Sequence, residues 1–352
     1  MNSEAIFGCI LGTAVGDALG LPYEGVSPQR APRLLGPPDR YRFLLGRGMI
    51  SDDTEHTCMV AQSLIDARGD VDVFTKRFAS RLRWWILALP AGVGKATARA
   101  GIRLWLGVKP QNAGVFSAGN GPSMRAAIFG AAIDDVKLML EMVRASSRLT
   151  HSDPKAECGA IAVALAAKHS RDHETVDANL WLDHVVNAVG DDGVELTDLL
   201  RKAVLSTRAG ESTPDFTQAL GLAKGVTGYT YHTVPVAIHA WLSHPKDFRQ
   251  SVTTIIRCGG DADTTAAIVG GIVGAGVGCG GVPEEWIDGL WEWPRSVTWM
   301  RSLGESLADS IDEKPITVTK APSINPLGVL VRNLLFLLVV LFHGFRRLAP
   351  PY

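Results

Sequence analysis

Two short acidic motifs, far apart in the chain, each precede an apolar segment with helical periodicity. The first is Ser51-Asp52-Asp53-Thr54-Glu55, and the second is Gly260-Asp261-Ala262-Asp263-Thr264. A serine or aspartate before a helix is usually an N-cap, and acidic residues favour the positive end of the helix dipole. Capping accounts for one aspartate, but it does not account for Asp261 and Asp263 together ahead of a segment that must be buried.

The two motifs contain oxygen atoms of the kind that hard metal ions prefer. Clustered carboxylates near buried surface need partners, and a divalent cation is the natural one. The S-D-D and D-x-D-T patterns together supply enough carboxylate and hydroxyl oxygens for two octahedral ions that also retain waters. The sequence therefore predicts a binuclear site, provided that the fold brings the two motifs together.

Four further segments follow the same order as in a known family. They are Gly16-Asp17-Ala18-Leu19-Gly20 with Pro22 and Glu24, Phe116-Ser117-Ala118-Gly119-Asn120-Gly121 with Met124-Arg125, Leu149-Thr150-His151-Ser152-Asp153-Pro154, and Gly228-Tyr229 with His232-Thr233. With the two acidic motifs they make the chain resemble the ADP-ribosylglycohydrolases, which include the dinitrogenase reductase-activating glycohydrolase. Each motif is weak alone, but six in order over about residues 4–300 are specific.

The resemblance implies an all-α fold, a compact orthogonal bundle of helices around a binuclear metal cleft. It implies two Mg²⁺ ions, with Mn²⁺ as an alternative. The ligands carried over by matching positions are Ser51, Asp52, Asp53, Asp261, Asp263 and Thr264. Glu24 would lie on the loop that covers the site, and the candidate general bases are Glu24, Asp53 and Asp261.

The resemblance also implies a substrate-binding loop. Ser117, Gly119, Asn120 and Gly121 would hold the diphosphate and ribose, largely through main-chain N–H groups. His151 would contact the ADP-ribose, although a histidine between Thr150 and Ser152 is otherwise read as structural. Ala118 stands where some relatives carry an aromatic residue, which implies a different hold on the adenosine.

The expected activity is magnesium-dependent hydrolysis of the glycosidic bond between ADP-ribose and a modified acceptor. One alternative is a module that binds ADP-ribose without turnover, but the intact set of ligands argues against it. The other alternative is a transferase that uses D-x-D to bind a nucleotide diphosphate, which would require an α/β sheet. The acceptor stays open among arginine, serine, a nucleic-acid end and a small molecule.

Helical periodicity dominates the segments that must position these residues. We expect helices at 55–68, 123–146, 155–169, 216–226 and 234–243, and we assign the ambiguous stretch 251–256 as helical. Glycines recur every four residues at Gly8, Gly12, Gly16 and Gly20, and again at Gly270, Gly274 and Gly278. Glycine weakens a helix by roughly 1 kcal/mol relative to alanine, so these stripes predict close packing of helices 4–20 and 264–278.

Composition excludes several classes of protein. Apolar residues make up 46% and charged residues 20% of the 352 residues, which is typical of globular chains. The net charge of −1 provides no bulk attraction to nucleic acid. The five cysteines lack paired spacing, and the N-terminus does not resemble a signal peptide, so we expect a cytoplasmic protein. We also expect a monomer.

The C-terminal segment differs in character from the rest of the chain. We divide the chain into a catalytic domain at 1–312 and a tail at 313–352, in which Pro315, Pro322 and Pro326 indicate a linker. Residues 327–348 are expected to form an apolar helix that leaves the domain and associates with a membrane or a partner. The G-x-G-x-x-G match at 276–281 closes an apolar helical segment, so it is read as a helix end rather than a dinucleotide site.

Overall fold

The computed structural model describes residues 2–311 and 319–346, and helices dominate both ranges. The helices are α1 (Asn2–Gly20), α2 (Ala31–Leu34), α3 (Asp52–Ala67), α4 (Val71–Leu87), α5 (Lys95–Trp105), α6 (Gly121–Met124), α7 (Ala127–Ala132), α8 (Val136–Thr150), α9 (Pro154–Asp172), α10 (Ala178–Val189), α11 (Val194–Arg208), α12 (Thr213–Ala219), α13 (Thr230–Ser243), α14 (Phe248–Ile256), α15 (Ala262–Val277), α16 (Glu284–Gly289), α17 (Val297–Ile311) and α18 (Pro326–Arg346). Over the described residues, strand-type pairing is limited to isolated bridges. The predicted all-α class is confirmed.

Most predicted helices are present, with boundaries set by recognisable caps. The helices expected at 55–68, 155–169, 234–243 and 251–256 correspond to α3, α9, α13 and α14. Asp153 caps α9 by accepting a hydrogen bond from the Lys155 main-chain N–H at 2.9 Å, and Pro154 occupies the first turn.

Two predicted helices were wrong in extent. The segment 123–146 is divided among α6, α7 and α8, because Ile133 is extended and Asp135 caps a new helix at Val136. The expected helix 216–226 ends at Ala219, since Gly221 and Gly225 adopt positive φ angles in the loop that follows. Helical periodicity continued across both interruptions, so it did not reveal them.

Helices α1 and α15 lie side by side and antiparallel at the centre of the molecule. The small residues face one another in four pairs: Gly8 with Gly274, Gly12 with Gly270, Gly16 with Ala266, and Gly20 with Ala262. A Cβ atom on any of the four α1 glycines would overlap a carbonyl oxygen of α15. The predicted packing of the two glycine stripes is therefore confirmed, and it places the start of α15 beside the end of α1.

The segment 276–281 ends α15, as expected from its position. Gly278 is the C-cap residue with φ of 69°, and a short 3₁₀ turn follows at Cys279–Gly281. A dinucleotide-binding loop would instead open a helix after a strand.

Helix α18 forms as predicted, but the expectation that it leaves the catalytic domain is wrong. Arg332 and Asn333 are buried, and they bind Glu292 and the Ala88 carbonyl oxygen of the domain. The segment before α18 also contacts the domain, since Gln62 Nε2 donates a hydrogen bond to the Pro322 carbonyl oxygen at 2.7 Å. Residues 312–318, which include Pro315 of the expected linker, and residues 347–352 lie outside the described residues.

Two helices are long and apolar enough to cross a membrane by length and composition. The span Ser3–Tyr23 is 94% buried and is the core helix α1 described above. The span Pro326–Phe345 is only 33% buried, because just one face of α18 rests on the domain.

Candidate functional site

The first acidic motif begins helix α3, and Asp17 of α1 fixes its position. Ser51 is the N-cap residue, and both Asp17 carboxylate oxygens accept hydrogen bonds from its main-chain N–H at 3.0 and 2.9 Å. Asp17 Oδ2 also accepts from the Thr54 N–H at 3.2 Å and from the Thr54 hydroxyl group. Glu55 is buried against Arg295 and accepts a hydrogen bond from Trp85 Nε1.

The second acidic motif begins helix α15 and is clamped by two loops. Gly260 has a φ of 80°, and its N–H donates to the Val26 carbonyl oxygen at 3.0 Å. The Asp261 N–H donates to the Val226 carbonyl oxygen at 2.8 Å. A Cβ atom at Gly260 would overlap Val226, so only glycine fits between these loops. These main-chain hydrogen bonds fix the orientation of the Asp261 side chain.

Asp53 connects the two motifs directly. Its Oδ2 atom accepts a hydrogen bond from the Ser51 hydroxyl at 2.9 Å and one from the Thr264 hydroxyl at 3.4 Å. Asp53, Asp263 and Thr264 are all buried. The packing of α1 against α15 thus brings together side chains that are far apart in the sequence.

The clustered carboxylates repel one another in the absence of a cation. Burial is the main cause that raises the pKa of Asp53 and of Asp263 well above the usual range, and neighbouring carboxylates add to it. The pKa of Asp52 is raised in the same way, by burial first and then by Asp17, Glu55 and Glu24. Without a cation, ionising these carboxyl groups together is therefore unfavourable, and a bound cation would favour their ionised form.

Two carboxylate oxygens of this cluster fit a metal ion. Asp53 Oδ1 and Asp263 Oδ1 are buried and have no hydrogen-bond partner. A buried acceptor without a donor is unfavourable, and a divalent cation would supply the missing interaction. Within the described ranges no three His, Cys, Asp or Glu side chains gather closely enough to hold an ion alone. Hydroxyl groups and waters would have to complete the coordination, as Mg²⁺ commonly requires.

Glu24 lies at the exposed entrance to the cluster. It follows the 3₁₀ turn Leu21–Tyr23, which continues directly from α1. Its charge contributes to the raised pKa of both Asp52 and Asp263, which places it near both acidic motifs. The next residue, Gly25, donates its N–H to the Gly260 carbonyl oxygen at 2.7 Å.

The predicted substrate loop is joined to the second acidic motif by Asn120. Its Nδ2 donates to Asp261 Oδ2 at 2.6 Å and to the Thr233 hydroxyl at 3.0 Å. The main-chain N–H of Asn120 donates to the Gly228 carbonyl oxygen, and that of Gly119 donates to Ser117 Oγ at 3.3 Å. In this structure the main-chain N–H groups of Gly119 and Asn120 thus have partners within the protein, and phosphate binding by the loop stays a prediction.

His151 is buried behind the same loop. It follows the last residue of α8, and its Nδ1 lies 2.8 Å from the Thr150 hydroxyl. The opposite edge of the ring faces Gly119 and Gly121, where a Cβ atom would come within 3.1 and 3.0 Å of the imidazole. Burial, with a contribution from Arg125, lowers the pKa of His151 to about 3, so the ring is neutral at neutral pH.

Two buried residues that the sequence did not single out support the site. Arg125 donates to the Gly121 carbonyl oxygen at 3.0 Å and to the Thr150 hydroxyl at 2.7 Å, so it ties the loop to the His151 segment. Burial lowers the pKa of Arg125 to about 9. The second supporting residue is Asp17, which binds Ser51 and Thr54. Both Arg125 and Asp17 lie within motifs noted above. A charged residue inside an apolar helical segment, such as Asp17 in α1, was the available signal.

Comparisons with known proteins show which family the chain resembles. A family model described as ADP-ribosylglycohydrolase matches residues 2–316. An uncharacterized protein of Archaeoglobus fulgidus is 32% identical over 90% of this chain and 99% of its own length. ADP-ribosylhydrolase ARH3 of Gallus gallus is 28% identical over 79% of this chain and 87% of its own.

Two further matches complete the comparison. The ADP-ribosyl-[dinitrogen reductase] glycohydrolase of Rhodospirillum rubrum is 26% identical over 82% of this chain and 90% of its own. A solved structure, described as an ADP-ribosylglycohydrolase-related protein complex, has a TM-score of 0.62 at 24% identity. It covers 88% of this chain and 99% of the solved chain. The similarity to this solved structure supports the all-α fold of the chain.

Proposed function

The chain belongs to the ADP-ribosylglycohydrolase family and is a glycohydrolase, and we propose that it removes ADP-ribose from a modified acceptor with the help of two Mg²⁺ ions. Mn²⁺ is the alternative ion. The single observation that carries this proposal is the joining of the two acidic motifs through Asp53, with unpartnered buried oxygens on Asp53 and Asp263. Burying several carboxylates together without a cation costs free energy, and a bound cation would offset that cost.

The proposed ligands are those expected from the sequence: Ser51, Asp52, Asp53, Asp261, Asp263 and Thr264. When bound, the ions would polarise the ribose hydroxyls and acidify a water. The protein's own contribution is positional. Asp17 holds Ser51 and Thr54, while Asn120 holds Asp261, so the oxygen donors are set in place before substrate arrives.

The proposed general base is one of Glu24, Asp53 and Asp261, and exposure favours Glu24. Breaking the bond at the anomeric carbon requires a carboxylate that accepts a proton from the attacking water. Glu24 is exposed, Asp261 is half-buried and Asp53 is buried. An exposed carboxylate at the entrance can reach a water beside the substrate, whereas Asp53 points between the two motifs.

Substrate binding is assigned to the loop that Arg125 supports. Ser117, Gly119, Asn120 and Gly121 would line the diphosphate and ribose, with the neutral His151 ring behind them. Both ring edges are close to the protein, so His151 would shape the pocket rather than carry charge. The small Ala118 leaves the adenosine without an aromatic neighbour at that position.

The two alternative functions are less well supported. A module that only binds ADP-ribose has no use for a buried cluster of unbalanced carboxylates, which is unfavourable unless an ion binds. A D-x-D transferase would require an α/β sheet, and the described residues form helices with isolated bridges alone.

The proposed setting is the cytoplasm, and the proposed partner is an ADP-ribosylated protein or another ADP-ribosylated acceptor. All five cysteines are free, which suits a reducing compartment. We expect a monomer in solution, without nucleic-acid binding.

The experiment is a panel of acceptors that carry ADP-ribose on arginine, serine, a nucleic-acid end or a small molecule. Release of ADP-ribose is measured for each with Mg²⁺, with Mn²⁺ and with chelator. We expect turnover of at least one acceptor, restricted to the reactions that contain metal. Binding of free ADP-ribose without turnover of any acceptor would instead support the binding module.

A further inference from the structure

Helix α18 presents an unbroken apolar stripe to solvent. The stripe consists of Leu327, Val331, Leu334, Leu335, Leu338, Leu341, Phe342 and Phe345. Each of these side chains is between 44% and 72% exposed, and their spacing of three or four residues places them on one side of the helix. At 1.5 Å per residue the stripe is roughly 27 Å long. Exposed apolar patches of this kind mark interaction sites.

The opposite side of α18 is fastened to the domain by polar contacts. Arg332 forms a buried ion pair with Glu292 and donates to the Ile50 carbonyl oxygen at 2.6 Å. Asn333 Nδ2 donates to the Ala88 carbonyl oxygen at 2.9 Å. Crossing a bilayer would require these contacts to break, leaving Glu292 buried without its cation. These contacts therefore hold α18 along the protein surface, and only its outer stripe can contact a partner.

A loop extends the apolar surface beside the C-terminal half of α18. Leu45, at the tip of the loop between Phe43 and Arg47, is 98% exposed. Together with Leu338 and Phe342 it lines a groove of about 490 Å³. At the other end of the helix, Gly328 packs against the ring of the partly exposed Trp293.

The charged residues that flank the stripe in the sequence are basic. In the sequence no Asp or Glu follows Glu313, whereas Lys320 precedes the apolar segment and Arg346 and Arg347 follow it. Arg332 also lies within the helix, but it is paired with Glu292 on the buried side. Basic residues at both ends of an apolar helix face complement an anionic lipid surface.

We propose that the outer stripe of α18 docks on the surface of an anionic membrane, with Leu45 inserted beside it. The helix lies in the interface and does not span the bilayer. A second copy of the chain is the less suitable occupant. Antiparallel pairing of two stripes would bring Lys320 of one copy near the Arg346 end of the other, and parallel pairing would also bring like charges together.

The inner side of α18 contacts two segments next to the proposed site, so docking would bring these segments close to the bilayer. The Ile50 carbonyl oxygen bound by Arg332 immediately precedes Ser51, and His343 Nε2 lies 3.2 Å from the Pro22 carbonyl oxygen, two residues before Glu24. The segments that carry the proposed site thus rest on the same helix that contacts lipid. The membrane proposal itself does not depend on the catalytic one.

The test uses the full chain and vesicles of phosphatidylcholine with or without phosphatidylglycerol. The variant Leu335→Glu/Leu338→Glu places charge on the stripe, and Leu106→Glu/Leu205→Glu places it on two comparably exposed leucines elsewhere. We expect wild type and the control to sediment with the anionic vesicles. The stripe variant should bind about tenfold more weakly or worse, and binding of wild type should weaken at high salt.

Two other results would overturn the proposal. One is equal sedimentation of the stripe variant and wild type. The other is a concentration-dependent dimer of wild type in light scattering without lipid that the stripe variant loses, since a second copy would then cover the stripe. Turnover of a soluble substrate by the stripe variant is measured in parallel and should match wild type. This control separates failure of membrane binding from failure of the proposed reaction.

Discussion

Asp17 holds Ser51 in place through both oxygens of its carboxylate. The Ser51 main-chain N–H lies 3.0 Å from Oδ1 and 2.9 Å from Oδ2. One residue of the central helix thereby orients the start of α3, where the first acidic motif begins. Because Asp17 is fully buried, the packing of α1 fixes its position, and Asp17 in turn fixes the position of Ser51.

Asp17→Asn should reduce metal-dependent turnover at least about tenfold while leaving the fold intact. An amide replaces one acceptor oxygen with an NH₂ donor, so it cannot receive all the Ser51 and Thr54 hydrogen bonds that the carboxylate receives. Turnover and the Mg²⁺ concentration for half-maximal rate are the measurements. Asp70→Asn is the control, because Asp70 caps α4 by accepting from the Val73 N–H. Equal kinetics for both variants would remove Asp17 from the site.

Gly12→Ala should destabilise the protein by about 1–3 kcal/mol or more, because its Cβ would overlap the Gly270 carbonyl oxygen. Neither main chain can give way without separating α1 from α15. Gly344→Ala is the control, since that helical glycine faces open space and alanine should be neutral or slightly stabilising there. Unfolding by denaturant measures both. A Gly12 variant as stable as wild type would show that the helices can move apart freely.

The contrast between α1 and the tail shows what the sequence could reveal. A stripe of glycines has few explanations other than close helix packing, so the α1–α15 contact and the meeting of the two acidic motifs were predictable. The tail was misjudged, because an apolar run such as 334–342 looks the same whether one face is buried or none. Arg332 stands inside this apolar segment, and the sequence does not show that it pairs with Glu292, 40 residues away.

The interrupted helix at 123–146 illustrates a second limit. Ile133 and Asp135 interrupt the chain between α7 and α8, yet apolar residues are frequent on both sides of the break. The role of Arg125 escaped notice for a related reason. Its hydrogen bonds join Gly121, Ser146 and Thr150, and such a buried network depends on how distant segments pack.

Arg332→Met should destabilise the protein by about 3–5 kcal/mol, because Glu292 would remain buried without its cation. Arg332→Met/Glu292→Gln should recover part of that loss, since the uncompensated charge is gone. Thermal unfolding measures both variants. Arg201→Met, which removes an exposed pair with Asp198, is the control and should change stability by less than about 1 kcal/mol. A single variant as stable as this control would show that α18 is not held by the pair.

Stability should decline in mild acid through buried histidines such as His239. Burial lowers the pKa of His239 from its ordinary 6.5 to about 4. As the pH falls, the unfolded chain therefore protonates at His239 before the folded protein does. The stability that depends on a neutral His239 is fully present above about pH 6.5 and is lost as the pH falls toward 4. His239→Gln should make the free energy of unfolding less dependent on pH between about 6 and 5, by up to roughly 1.4 kcal/mol per pH unit.

The control for this prediction is His184→Gln, because the His184 side chain is exposed. Urea unfolding at several pH values measures wild type and both variants. Glutamine retains hydrogen-bonding capacity toward Ser206 and Thr213, which bind the His239 ring. An unchanged pH dependence in His239→Gln would show that this ring already takes up its proton in the folded state.

The most direct test of the proposed metal site compares wild type with Asp263→Asn after removal of bound metal. Burial and the nearby carboxylates Glu24, Asp261 and Asp53 raise the Asp263 pKa, so an amide should relieve repulsion in the metal-free protein. ADP-ribose release and the unfolding temperature are followed as Mg²⁺ is added. Wild type should regain turnover and unfold at a higher temperature. The variant should be at least as stable without metal, should show little response to Mg²⁺, and should lose about a hundredfold or more in rate. Full turnover by metal-free wild type, or Mg²⁺-dependent turnover by Asp263→Asn at the wild-type rate, would contradict the account.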